Sequence, residues 1–164
     1  MRKMTVAVVL TGVLSGLLPG AGMSEVPVYP ADFEIVALAG GAAPWTSYLG
    51  VVIDTTGVGS WCRVDEADRG SGTCTATGSV TLSVAGRNAV WSAIQDQGYF
   101  GLAPTHFDPG VGDGSFVELR VTGGGATHVV RTQNTAVAGV DSVVVALNAA
   151  LPDSVQLSYN EIMP

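Results

Sequence analysis

Apolar positions in residues 33–54 form two stretches with the spacing of β-strands. Residues 33–39 alternate large and small side chains, which is typical of a strand with two different faces. Residues 48–54 are apolar at most positions, which favours a strand in the middle of a sheet. The run from Gly40 to Pro44 contains only Gly, Ala and Pro and breaks the pattern. We therefore predict two separate strands.

Strict alternation returns in residues 115–122, where valine and leucine alternate with Glu118 and Arg120. This is the pattern of a strand with one buried and one solvated face. Three glycines at 123–125 separate it from a second β-prone stretch, residues 127–132. Two alternating stretches joined by such a short glycine-rich turn predict a β-hairpin.

Two segments have helical periodicity. The first runs from Ser83, a residue type that caps helix N-termini, to about Gln97. Gly98 follows where a left-handed C-terminal residue is expected. The second helix spans residues 138–151, has valine and leucine along one face, and ends before Pro152.

The remaining segments complete the predicted layout. Residues 103–114 have the composition of a loop, and residues 155–159 resemble a short closing strand. The order is strand, strand, hairpin, helix, hairpin, helix, strand. Helices on one face of a mostly antiparallel sheet would bury these apolar faces, so the predicted fold class is α+β with one disulfide.

The N-terminal residues predict export. Arg2 and Lys3 precede an apolar run, residues 4–18, which is shorter than the roughly 20 residues that a bilayer-spanning helix needs. A positive start, an apolar middle and a small-residue end are typical of a signal peptide. We therefore expect residues 1–23 to be a signal peptide and residues 24–164 to form one α+β domain, secreted or periplasmic.

The net charge of the chain indicates which classes of partner are not expected to bind it. The whole chain has a formal charge of −7, and two of its seven basic residues, Arg2 and Lys3, belong to the predicted leader. The mature chain would then carry five arginines against 14 acidic residues, a formal charge of −9. An acidic surface without a basic patch argues against nucleic-acid binding and against docking on anionic lipid.

The two cysteines, Cys62 and Cys74, flank a charged, glycine-rich stretch at residues 65–72. An even cysteine count in an exported chain predicts a disulfide, here across a hairpin. In the chain-entropy model, closing a loop of this size stabilises the fold by on the order of 3 kcal/mol. A redox or metal role would require closer spacing or more ligands.

His106, Asp108 and Asp113 are the candidates for a small-ligand or metal site, because a histidine near carboxylates can act as a base or a ligand. Zinc needs three or four protein ligands, and the only other histidine is His128, which falls on a predicted strand. We therefore expect His106 to be a loop histidine bonded to Asp108 or to backbone. We predict no catalytic, cofactor-binding or metal-binding residue.

Nucleophile and phosphate motifs are absent from the sequence. No serine lies in a Gly-x-Ser-x-Gly context, and the glycines at 123–125 join two strands instead of leading into a helix. Trp45 and Trp61 lie near predicted turns, where partial exposure would make them natural anchors for a partner. Packing in the core or against the disulfide is the alternative for both tryptophans.

Residues 91–151 combine an amphipathic helix ending in an aromatic pair, an acidic loop, a hairpin and a closing helix. These pieces are Tyr99 with Phe100, residues 108–113, the Thr127-His128-Val129 start of the second hairpin strand, and residues 140–151. In this combination the chain resembles small bacterial domains such as the emfourin-type inhibitors of thermolysin-like metalloproteases. The resemblance implies binding to a protease instead of catalysis.

Taken together, these observations predict an exported, non-enzymatic module that binds another protein, with a protease as one candidate partner. Two alternatives remain. The chain could be a structural component of the cell envelope, or a small-ligand or metal-binding protein with its site near His106, Asp108 and Asp113.

Overall fold

A computed structural model describes residues 25–41, 47–65, 73–111 and 114–157. The predicted signal peptide lies outside these ranges. Seven strands within them form one sheet, in the order β4-β3-β2-β1-β6-β7-β5. The strands are β1 (Glu34–Gly41), β2 (Tyr48–Ile53), β3 (Val58–Val64), β4 (Ala76–Thr81), β5 (Thr105–Phe107), β6 (Ser115–Gly123) and β7 (Ala126–Gln133).

Neighbouring strands run antiparallel except β5, which lies parallel to β7. Two helices, α1 (Val84–Asp96) and α2 (Ala138–Ala150), complete the described structure together with a short 3₁₀ helix, Tyr99–Gly101. The predicted α+β class, the mostly antiparallel sheet and the Cys62–Cys74 disulfide are confirmed.

Strand register divides the side chains of the sheet between two faces. Ala37 lies opposite both Val51 and Leu119, so these three side chains point to the same side. We call this side the core face. Its buried residues include Ile35, Ala37, Ala39, Leu49, Val51, Ile53, Val117, Leu119, Val121 and Val130. The buried apolar residues of both helices, Val90 and Ile94 of α1 and Val140, Val143, Val144 and Leu147 of α2, belong to the same cluster.

The other side of the sheet is called the open face below. It carries the residues that alternate with the core positions in each strand. They include Glu34, Val36 and Leu38 of β1, Val52 of β2, Val58, Ser60 and Cys62 of β3, Thr77, Ser79 and Thr81 of β4, Phe116, Glu118 and Arg120 of β6, and Val129 and Arg131 of β7. Val64, at the end of β3, has the same orientation but is buried.

Local chemistry fixes the ends of α1 as the sequence predicts. The Ser83 hydroxyl oxygen accepts a hydrogen bond from the Gly86 backbone N–H at 3.0 Å and so satisfies one of the free donors of the first turn. At the other end, Gly98 has a φ of 59°, in the left-handed region that favours glycine.

An aromatic cluster joins α1 to the sheet. Trp91 lies edge-on to Phe33, with ring centroids 5.4 Å apart, and edge-on to Phe100 at 6.2 Å. Gly123 of β6 lies directly beneath the Trp91 ring, where a Cβ atom would come within 2.6 Å of ring carbon Cζ3. The absence of a side chain at residue 123 therefore allows the indole to approach the sheet.

Two predicted segments differ from the structure. The sequence predicts a loop over residues 103–114, whereas Thr105–Phe107 forms β5 on the edge of β7. Residues 155–157, the described part of the predicted closing strand, do not pair with the sheet. The Asn148 side chain instead accepts from the Leu157 N–H at 2.8 Å and donates to its carbonyl at 2.9 Å. A side-chain amide thus supplies the partners that a neighbouring strand would supply.

No helix within the described ranges has both the length and the apolar character needed to cross a membrane.

Candidate functional site

The open face carries an apolar patch that no described element covers. Val52 and Val36 are direct neighbours on β2 and β1, and Val52 keeps 47% of its surface exposed. Val58 and Val129, on β3 and β7, are 48% and 38% exposed. Leu38, half-buried, lies across the Gly50 backbone, where a Cβ atom would come within 3.6 Å of the leucine Cδ1. We call Val36, Leu38, Val52 and Val58 the valine patch. Val129 lies apart from it, because Arg120 of β6 stands between Val129 and Val36.

Charged side chains border the patch on β6 and β7. Arg120 lies between Val36 and Val129 in one row across the sheet and is exposed. In the next row, Glu118 and Arg131 approach each other to 3.8 Å. Within the described residues Arg120 has no such acidic neighbour, so its guanidinium remains available to a carboxylate from outside.

Hydroxyl side chains border the patch on the opposite side. Ser60 on β3 faces Ser79 on β4, and Thr77 and Thr81 occupy the neighbouring open-face positions of β4. All four residues are exposed. The open face therefore changes from hydroxyl-bearing through aliphatic to charged across six strands, an arrangement of apolar centre and polar border that is typical of protein-binding surfaces.

The disulfide joins β3 to the segment before β4. Cys62 and Cys74 have Cα atoms 5.5 Å apart, within the range of an ordinary bridge. Next to it, the Thr75 N–H and hydroxyl both donate to the Arg63 carbonyl oxygen, at 2.8 and 3.1 Å. These contacts hold the start of β4 to the end of β3 and so fix the hydroxyl border of the patch.

Trp61, one of the two candidate anchors, points to the core face. It is half-buried beside the core cluster, and its indole crosses β4 at Gly78, where a Cβ atom would come within 2.5 Å of Nε1. Part of the ring is therefore packed, as the alternative interpretation expects, and part remains accessible. Trp45, the other candidate anchor, lies outside the described residues.

His106 is not a loop residue and does not bond to Asp108. It lies on β5 opposite Thr132, half-buried, and its Nε2 is enclosed without a hydrogen-bond partner in the part of the chain that the structure describes. The Asp108 carboxylate accepts from the Gly110 N–H at 2.8 Å and shapes its own turn. Asp113 lies outside the described ranges.

His128 lies on β7, in agreement with its predicted strand position, and is half-buried. Its Nε2 lies 3.0 Å from the Leu102 carbonyl oxygen, and its ring is edge-on to Tyr99 at 5.6 Å. The Tyr99 hydroxyl donates to the Leu119 carbonyl oxygen at 2.6 Å. Burial raises the pKa of this phenol, so Tyr99 stays protonated and acts as a structural donor.

The structure does not gather the sequence candidates into a reactive site. His106 is at the outer edge of β7, whereas His128 is further along that strand, against Leu102. Across residues 25–41, 47–65, 73–111 and 114–157, no three His, Cys, Asp or Glu side chains form a group that could hold a metal ion.

Sequence reasoning missed the valine patch, although part of the signal was present. Residues 35–38 read Ile, Val, Ala and Leu, so both faces of β1 are apolar while only one belongs to the core. Val58 and Val129 lie far apart in the chain, and only the strand order brings them onto the same face.

Comparison of the chain with models of known protein families and with curated proteins found no match.

Proposed function

We propose that this chain is an exported, non-enzymatic module that binds another protein through the open face of its sheet. The observation that carries the proposal is the valine patch. Val52 and Val58 stay exposed on the neighbouring strands β2 and β3, with the half-buried Val36 and Leu38 of β1 beside them, on a regular, hydrogen-bonded surface. Contiguous exposed apolar residues with a polar border mark interaction sites in soluble proteins.

The architecture supports this use of the open face. In the proposal both helices pack on the core face, which leaves the other side of the sheet free for a partner. The backbone of that side is fixed by strand pairing and by the disulfide, so little conformational entropy is lost on binding.

The surface favours one kind of partner. Val36 and Val129 flank the exposed Arg120 guanidinium, while Glu118 is already close to Arg131. The complementary surface would be aliphatic and would place a carboxylate against Arg120, since arginine forms a paired hydrogen-bonding contact with carboxylate. The resemblance of residues 91–151 to emfourin-type inhibitors makes a secreted thermolysin-like metalloprotease the first partner to test.

The test uses the mature, disulfide-bonded chain and two variants of the patch, Val52→Asp and Arg120→Glu. A panel of thermolysin-like metalloproteases is assayed for inhibition, and secreted proteins retained by the wild-type chain are then titrated against each variant. Both substitutions should weaken binding at least about tenfold, because Val52 lies in the apolar centre of the proposed interface and Arg120 is its carboxylate-binding residue.

The matched control is Val145→Asp, at an exposed valine of α2 that lies away from the sheet. It should bind like the wild-type chain. If no protease is inhibited and no partner is retained, or if Val52→Asp and Val145→Asp bind equally well, the open face is not the binding surface.

A further inference from the structure

β4 ends the sheet on one side, and its outer edge is unprotected within the described residues. Its sequence, ATGSVT, contains no charge and no proline, and it pairs with β3 over all six residues. At the other end of the sheet, β5 has only three residues and follows Pro104. Long, uncharged edge strands are the exception in natural proteins because they pair readily with other strands.

The alternation of hydrogen bonds between β3 and β4 shows which backbone groups of β4 point away from the sheet. The Leu82 N–H donates to the Gly57 carbonyl at 2.8 Å across the β3–β4 ladder. Because antiparallel bonds occur at every second residue, the positions of β4 that bond β3 are Ala76, Gly78 and Val80. The N–H and C=O groups of the alternate residues, Thr77, Ser79 and Thr81, therefore point away from the sheet.

We infer that the outer edge of β4 pairs with the same edge of a second copy of this chain. A two-fold axis at Ser79 places Ser79 opposite its counterpart and Thr77 opposite the counterpart of Thr81. Each facing pair then exchanges two backbone hydrogen bonds, so every outward N–H and C=O of these three residues gains a partner. The two sheets continue as one.

Side chains fit the same register on both faces. On the open face, hydroxyls meet hydroxyls, and such cross-strand pairs stabilise antiparallel sheets. On the core face, Gly78 lies opposite Val80 of the second copy, so a small residue faces a larger one. The Trp61 indole, which already crosses Gly78, meets that valine and loses the exposure that its half-buried position leaves.

Charge also favours this edge over other surfaces. The mature chain is strongly acidic, so two copies repel each other over most orientations. β4 places no like charges opposite each other in the self-paired register. The interface is isologous, as closed dimers require.

The first test measures the mass of the mature, oxidised chain by sedimentation over a concentration series, for the wild type, Ser79→Pro and Ser79→Ala. Proline removes an N–H that points outward and leaves the β3 ladder intact, a position where edge strands tolerate it. The wild type and Ser79→Ala should form dimers, and Ser79→Pro should dissociate at least about tenfold more readily while keeping its circular dichroism spectrum.

A second measurement keeps the proposal testable if Ser79→Pro does not fold. In Ser79→Cys the two-fold axis brings the new thiols together, with Cα atoms about 5.5 Å apart, so oxidation should cross-link the dimer. Ser92→Cys, on the exposed face of α1, should not cross-link. A monomeric wild type, a dimer unaffected by Ser79→Pro, or equal cross-linking at both positions would overturn the inference. Val52→Asp, which tests the open face, should leave the dimer intact.

Discussion

The carboxylate of Asp32 accepts a hydrogen bond from the backbone N–H of Gly125 at 2.7 Å, although 93 residues separate the two along the chain. Its other oxygen accepts from Gly124 at 2.8 Å. Both glycines have positive φ, 63° at Gly124 and 78° at Gly125, in the tight turn between β6 and β7. Asp32, two residues before β1, thus closes the turn of the neighbouring hairpin and ties the first strand to its register.

This contact makes stability depend on pH. Hydrogen bonds from Gly125 and Gly124 lower the pKa of Asp32 below its usual value of 3.8. A carboxyl whose pKa is lower in the folded state stabilises the fold above the unfolded-state pKa, and this contribution disappears as pH falls through the folded-state pKa. Asp32→Asn should therefore lower the free energy of unfolding at neutral pH and match the wild type in strong acid.

Urea denaturation at several pH values measures this effect. Asp153→Asn, which removes the same charge from an exposed position after α2, serves as the control. An Asp32→Asn effect that stays constant from neutral pH down to strong acid would contradict the proposed role of the carboxylate.

Gly123 tests how closely α1 approaches the sheet. In Gly123→Ala the new Cβ would lie 2.6 Å from Cζ3 of Trp91, so the ring would have to move and its edge-on contacts with Phe33 and Phe100 would change. Overpacking of this kind costs about 1–3 kcal/mol. Thermal denaturation should show the loss, and Gly101→Ala, where the Cβ meets nothing within 4 Å, should show little.

Local chemistry explains which parts of the fold could be predicted from sequence. Ser83 and Gly98 lie at the ends of α1 because a hydroxyl cap and a left-handed glycine act within one helical turn. The β6–β7 hairpin is similarly encoded by alternation and by the glycines at 124 and 125.

Long-range pairing explains what could not be predicted. β5 forms because the Arg131 N–H donates to the Pro104 carbonyl oxygen and the Asp108 N–H donates to the Gln133 carbonyl oxygen. These contacts join residues distant in the chain, so the sequence of residues 103–114 alone does not indicate a strand. The strand order likewise places β1 between β2 and β6, and this order alone assembles the valine patch. The candidate site therefore required the structure, whereas most elements did not.

The Ser83 cap is a direct test of local stabilisation. Ser83→Ala leaves the Gly86 N–H without its partner at the start of α1, and a lost cap of this kind costs about 1 kcal/mol. Ser83→Asp retains an acceptor at the same position and should recover the stability. Equal thermal midpoints for Ser83→Ala and Ser83→Asp would show that the cap contributes nothing measurable.

The disulfide should stabilise the fold more than the Ser83 cap does. Cys62 and Cys74 close a loop with a sequence separation of 12, and removing such a cross-link costs about 3 kcal/mol in the chain-entropy model. The double variant Cys62→Ser with Cys74→Ser should lose this amount in urea denaturation. Adding a reductant should destabilise the wild-type chain to the same level and leave the double variant unchanged. Complete reduction opens the loop and raises the conformational entropy of the unfolded chain. If the unfolding midpoint of the wild-type chain does not respond to it, the cross-link contributes nothing measurable, and backbone pairing alone holds β3 to β4.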